Sequence, residues 1–411
     1  MDVSDGDRKI LRDLARRVAE IAHRPVQPQK AAMWRKHNAL QRVRPMVLIF
    51  PEGSWRELIT PADLLARDEW SRRIELGLRR RLYAWEHLRD DNTVEPTFPC
   101  GLVTRSTGWG IDVRTTDPQQ PTGAKHYEAA LATDADPRTI HLPQITLDRE
   151  ASRRQFERVA DLLGDILDVE QRGRTGFGIA PLDLLGSWRG YEQLLYDLVE
   201  RPDWVHAVLD RIMDGYLAEL DSWIAQDALS LNNREHYVGS GGVGYTDELP
   251  QPDFDGQHVR PRDLWGFATA QIFSEVSPAM HEEFALRHER RWLERFGLNC
   301  YGCCEPLHRK LDAVKRLPDL RRVSMSPWVD VAAGAQQLED RYIFSYKPNP
   351  AVVAAETWQP DRVRRDLRAF CERTRGCIVE IIMKDIHTCR HQPRRMGEWT
   401  RIALEVAEEF A

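Results

Sequence analysis

The sequence predicts an α/β fold: a (β/α)8 TIM barrel preceded by a mixed, mainly helical N-terminal extension. Three observations point there. From about residue 150 onward, short apolar runs alternate with amphipathic stretches, the rhythm of parallel strands joined by helices. That alternating part is roughly 250 residues long, a suitable length for such a barrel. Polar residues follow the apolar runs again and again, as they should where chemistry sits at the C-terminal ends of barrel strands.

The elements follow in order. Ile10, Leu11, Leu14, Val18 and Ile21 recur at helical spacing, with Ser4, Asp5 and Asp7 suited to cap that helix. Pro25 and Pro28 should end it, and residues 34–43 should form a second short helix. Met46 to Phe50 reads as a buried strand, and Glu69 to Leu88 as a charged helix after Asp68. The proline-rich stretch 117–123 reads as a loop. These pieces make residues 1–140 an extension packed on a barrel spanning 141–411. Within the barrel, Gly176 to Ala180, Leu229 to Leu231, the apolar run before Cys300, Val323 to Ser326, Tyr342 to Ser345 and Ile378 to Met383 read as strands. Helices are expected from Tyr191 to Leu198, Pro202 to Gln226, Pro278 to Phe296, Pro306 to Arg316, Asp361 to Arg373 and Arg394 to Glu408.

Composition narrows the class. Of 411 residues, 42% are hydrophobic and 30% charged, which allows a packed core under a charged surface. The net charge of −6 carries no broad basic excess, so nucleic acid is not an expected partner. No apolar stretch nears the ~20 residues needed to span a bilayer, and the acidic N-terminus is no signal peptide, so no membrane partner and a cytoplasmic location are expected. Seven cysteines, an odd number, suit reactive or metal-binding thiols better than a disulfide framework.

Four of those cysteines fall in two clusters. Cys300-Tyr-Gly-Cys303-Cys304-Glu305 and His387-Thr-Cys389 each follow a strand-like run. Thiolates, imidazole and carboxylate at two strand ends are a donor set that zinc accepts. Cys303, Cys304, Glu305, His387 and Cys389 are therefore the candidate ligands. Zinc would lower a bound thiol's pKa and supply a thiolate at neutral pH. Adjacent Cys303 and Cys304 can both face one ion only beyond the regular strand, because alternate strand residues face opposite sides.

Other candidates are Glu235 and His236 as acid/base or substrate contacts, and His281 at a helix start near the expected pocket. Asn232, Asn233, Lys347 and Asn349 follow strands and are candidate substrate contacts, together with Tyr245. The glycine-rich run from Val238 to Tyr245 could form a flexible lid or an anion-binding nest.

The segment Gly186-Ser-Trp-Arg-Gly-Tyr191-Glu, together with Tyr301-Gly-Cys-Cys-Glu-Pro-Leu307, Val323-Ser-Met-Ser-Pro-Trp328 and Tyr342-Ile-Phe-Ser-Tyr-Lys-Pro-Asn349, resembles the uroporphyrinogen decarboxylase superfamily over about residues 150 to 411. That superfamily includes porphyrinogen decarboxylases and zinc methyltransferases acting on corrinoids and thiols. The Arg-Gln-Ala-Gly-Arg segment of the decarboxylases has no counterpart here. Cys389 matches the lone cysteine that the zinc methyltransferases carry after their last strand. Their His-x-Cys pair is not reproduced literally, since Asn299 and Tyr301 stand in its place. The resemblance implies a zinc-dependent methyltransferase or demethylase. It would move a methyl group between a small substrate and a thiol or corrinoid acceptor, with a corrinoid protein as a partner and a homodimer as an assembly. A metal-free decarboxylase or lyase and a non-catalytic zinc-dependent binding protein are the alternatives.

Overall fold

A computed structural model describes residues 3–113, 115–116, 126–132 and 135–411. The expected loop at 117–123 lies outside the described residues. Seven strands form one sheet: β1 (Met46–Ile49), β2 (Gly178–Ile179), β3 (Trp265–Ala268), β4 (Leu298–Tyr301), β5 (Leu320–Met325), β6 (Ile343–Tyr346) and β7 (Ile378–Met383). Their order across the sheet is β1-β7-β6-β5-β4-β3-β2, and every neighbouring pair is parallel. The fold is thus α/β with a parallel sheet. Among the described residues no ladder joins β2 to β1, so the sheet is not closed by hydrogen bonding. A second parallel pair, Thr97–Gly101 with Asp168–Arg172, stands outside it.

Met46 pairs with Glu380 at the edge of this sheet. Residues 1–140 are therefore not an appended extension: they supply β1 itself. The helix Val26–Asn38 also differs from expectation. Pro28 does not break it, because a proline in the first turn removes an N–H that would be unpaired anyway. The expected helix over 306–316 is instead two short pieces, Leu307–Arg309 and Leu311–Val314. Leu229 makes only an isolated parallel bridge to Arg174.

Both faces of the sheet are buried, which is why β1 reads as an unbroken apolar run. Val47, Val323, Phe344, Val379 and Ile381 join the large core under the helices. The opposite face holds Cys300, Arg322, Ser324, Ser345 and Glu380, which the register places side by side. Arg322 and Glu380 are fully buried and 2.9 Å apart. His37 Nε2 lies 3.2 Å from Glu380, and Arg322 donates to Asn38 Oδ1 at 2.7 Å. Without these partners the charges would cost several kcal/mol each to bury.

The glycine-rich run packs onto this polar face. A Cβ at Gly239 would strike Cys300, one at Gly241 would strike Ser345, and one at Gly242 would strike Arg322. The run is therefore an interior filler held by close approach to the sheet, not a lid. Val243 and Tyr245 complete a small apolar cluster with Trp34, Met46, Leu48 and Ile382.

Candidate active site

The strands of a parallel sheet all deliver their C-terminal ends to one edge. Here that edge carries Thr269 and Ala270 after β3, Cys303 and Cys304 after β4, Ser326 after β5, Lys347 after β6, and Lys384 and Asp385 after β7. Ser324 and Lys347 lie one step of the alternation, roughly 7 Å, beyond Arg322 and Ser345, and Lys384 lies two steps beyond Glu380, so all three share the polar face.

The turn after β4 is built to present its thiols. Gly302 has φ +85°, and a Cβ there would strike Ser324 O. Glu305 then ties the turn down. Its Oε1 accepts from Thr269 Oγ1 at 2.8 Å and Ala270 N at 2.9 Å, and its Oε2 accepts from Cys303 N at 2.7 Å. Cys303 Sγ lies 3.5 Å from Cys304 Sγ and 2.8 Å from Ser240 Oγ, which the glycine-rich run delivers. Lys347 Nζ donates to Cys303 O and to Ser324 Oγ. Lys384 Nζ is 3.5 Å from Ser240 Oγ.

This surrounding sets the protonation of the pair. The Cys304 S–H, Lys347, Lys384 and Ser240 overcome the cost of burial and hold the Cys303 thiol down at about 6. Cys304 is pushed the other way, chiefly by its bond to Cys303 and by burial. The pair thus holds one thiolate, which the Lys347 and Lys384 ammonium groups and the Ser240 hydroxyl favour on Cys303. Burial lowers the pKa of Lys347, and the negative sulfur partly offsets it. An ammonium with no carboxylate in hydrogen-bond contact needs a counter-charge when buried, and Cys303 supplies one. Lys384 is raised despite burial, by Tyr237, Cys303, Asp385 and Glu52.

The rim beside the thiols is conformationally unusual. Glu52, after β1, and Asp385, after β7, both have positive φ, 44° and 59°. Asp385 N donates to Glu52 at 2.6 Å, and Lys384 lies 3.8 Å from each carboxylate. Such backbone costs about 1–3 kcal/mol per residue and clusters at functional sites. Tyr237 and Trp328 are aromatic side chains left exposed near the strand ends, the latter 73% exposed.

The five expected zinc ligands do not converge. Both Glu305 oxygens are occupied by the hydrogen bonds just described. Cys389 Sγ donates to Glu57 Oε2 at 3.0 Å, and burial and that carboxylate push its thiol up to about 11. His387 is exposed. Among the described residues no group of three or more His, Cys, Asp or Glu side chains is placed to hold a metal ion. These residues as folded do not fit zinc, and no step proposed for this site runs through it.

The remaining candidates lie as follows. Lys347 joins the thiols. Glu235 and His236 belong to a different ion cluster: Arg172 contacts Glu235 at 2.7 Å and His236 at 3.1 Å, while Arg234 bonds Glu95 and Glu170. His281 is fully buried, its Nε2 2.9 Å from Tyr301 OH, which in turn donates to Glu289 at 2.8 Å. Asn232 bridges backbone, with its amide on Thr175 O and Trp265 O and its oxygen on Trp265 N. It fills in for missing strand pairing instead of facing a substrate. Asn233 bonds Leu249 O, Asn349 caps Ala351 N, and Tyr245 is buried with its hydroxyl on Glu95 and Thr93. Sequence reasoning missed Ser240, Lys384, Asp385 and Glu52. A Lys-Asp pair directly after the strongest apolar run, Ile378 to Met383, was the available signal for two of them.

No family model matches the chain. No curated protein matches it either. Among solved structures it is similar to a methyltransferase from Methanosarcina mazei, at 8% identity and a TM-score of 0.49, covering 93% of this chain and 98% of that one. A likeness of that grade bears no weight for chemistry, which rests on the residues above.

Proposed function

We propose that this chain is a transferase moving a methyl group of a small molecule, with the Cys303 thiolate as nucleophile, on a (β/α)8 barrel of the uroporphyrinogen decarboxylase type closed through the region between β1 and β2. The observation that carries the chemistry is the buried Cys303 sulfur among Lys347, Lys384, Ser240 and Cys304. The thiolate, not the thiol, is the nucleophile. Sγ bonds to the methyl carbon while the carbon–donor bond breaks and its electron pair leaves with the donor. Alkylation neutralises the sulfur and strands the Lys347 ammonium without its counter-charge. That destabilises the methylated state and favours onward transfer to a thiol or a corrinoid acceptor, the carriers the sequence resemblance implies. The exposed rings of Tyr237 and Trp328 suit a broad, flat partner at the rim.

A metal-free decarboxylase would need cations free to grip substrate carboxylates. Lys347 is already committed to Cys303 O and Ser324, and Lys384 to Glu52 and Asp385. The test is transfer of isotope-labelled methyl groups from a panel of methylated small molecules to thiol and corrinoid acceptors. Transfer by the wild type that Cys303→Ser abolishes is the expected result; transfer unaffected by that substitution overturns the assignment.

A further inference from the structure

We infer that Cys303 and Cys304 form a reversible oxidation site for low-molecular-weight disulfides, closing a disulfide between adjacent residues. The inference goes beyond methyl transfer and does not depend on it.

The geometry is local and direct. The two sulfurs are already 3.5 Å apart, so closing to a bond of about 2.05 Å moves no distant element, and because adjacent Cα atoms lie only about 3.8 Å apart, below the usual disulfide range, the eight-membered ring that forms is strained. Both residues lie past the last regular residue of β4, in a turn where the chain is not held in a ladder. Cys304 is half-buried and Cys303 keeps 7% of its surface exposed, so the pair is not sealed from solvent. The other cysteines offer nothing similar. Cys100 meets Gln155, Cys300 meets Arg322, Cys377 donates to Ala335 O and Cys389 donates to Glu57, so none of these is paired with a second sulfur.

The step balances without a further reagent. The sulfur of Cys303 attacks one sulfur of the external disulfide, forming a mixed disulfide and expelling one thiolate. Cys304 then gives up its proton and attacks the Cys303 sulfur, expelling the second thiolate. The protein pair is oxidised by two electrons, and the external disulfide is reduced to two thiols. While Cys303 is ionised, its charge keeps the proton on Cys304. Capping Cys303 removes that charge and leaves Lys347 to favour ionisation of Cys304, so the first event prepares the second. The product carries no thiolate, and Lys347 loses its counter-charge. That strain makes the disulfide oxidising and easily reversed by a dithiol.

The test uses the full chain and glutathione disulfide. After exposure, remaining thiols are blocked with N-ethylmaleimide at acid pH, and peptides are mapped by mass. The expected peptide holding residues 303 and 304 is two hydrogens lighter and unblocked, and dithiothreitol restores it. Cys304→Ser should stop at a lasting glutathione adduct on Cys303. A wild-type peptide that stays blocked at both thiols, or that retains a stable glutathione adduct, overturns the inference. Because the readout is mass, it stands or falls apart from any methyl-transfer assay.

Discussion

Two cysteine-bearing segments leave the same sheet, one after β4 and one beyond β7, and they hold sulfur in opposite states. Cys303 sits among two ammonium groups, a hydroxyl and a neighbouring S–H, and its thiol is drawn down to about 6. Cys389 is also buried but faces a carboxylate, and its thiol is pushed up to about 11. Burial alone raises both; the Cys304 S–H and two cations around Cys303, against a carboxylate at Cys389, decide the outcome. The Cys389 arrangement has a structural purpose that runs through Glu57. Despite the cost of burial, hydrogen bonds from Thr388, Cys389 and His391 hold that carboxyl at about 2. One acid thereby fastens the segment after β7 to the N-terminal part of the chain. The first segment presents the sulfur proposed to react, and the second fastens the chain.

Five substitutions probe that contrast, in falling order of expected effect. Cys303→Ser should reduce methyl transfer on the order of 10³-fold or more, as loss of a nucleophile does, while Cys389→Ser should leave the rapid-alkylation phase intact. Lys347→Met should raise the Cys303 pKa by roughly 1–3 units, read from the pH dependence of alkylation, since it removes the buried counter-charge. Glu57→Gln should remove an acid-limb term from stability. The folded carboxyl ionises at about 2 against an ordinary 4.5. Its stabilisation is therefore present above 4.5 and lost as pH falls from there toward 2, so the variant's denaturant midpoint should vary less across that window. Ser240→Ala deletes one hydrogen bond to the sulfur, worth about 1 kcal/mol or less, and should slow alkylation of Cys303 at pH 6 only a few-fold.

The alternation of strand and helix was legible because each strand is a short apolar run and each helix an amphipathic one. Ile378 to Met383 and Arg394–Glu408 fall where their patterns place them. β3 was not legible: Trp265-Gly-Phe-Ala268 is short, carries a glycine, and depends on Asn232 for its first N–H partner. The N-terminal segment gave no sign of sheet membership beyond β1's apolar run, because pairing with β7 is a contact across more than 300 residues. The thiol pair was visible as a motif, and Lys347 as a strand-end group. Ser240 was hidden because a glycine-rich run gives no sequence signal of whether it swings free or packs against a sheet. The expected meeting of Cys303 with Cys389 failed for a similar reason. Glu57, a residue with no motif around it, takes the thiol that the cluster and the family resemblance assigned to a metal.

Near neutral pH Cys303 should be a thiolate while Cys389 stays protonated. Site-resolved iodoacetamide labelling of the native chain from pH 4.5 to 9, quantified by peptide mass, measures it directly. The account predicts that labelling at Cys303 rises through a midpoint near 6 while Cys389 stays unlabelled across the range. A Cys303 midpoint at or above the ordinary thiol value of about 8.5, or labelling of Cys389 that precedes it, would contradict the account.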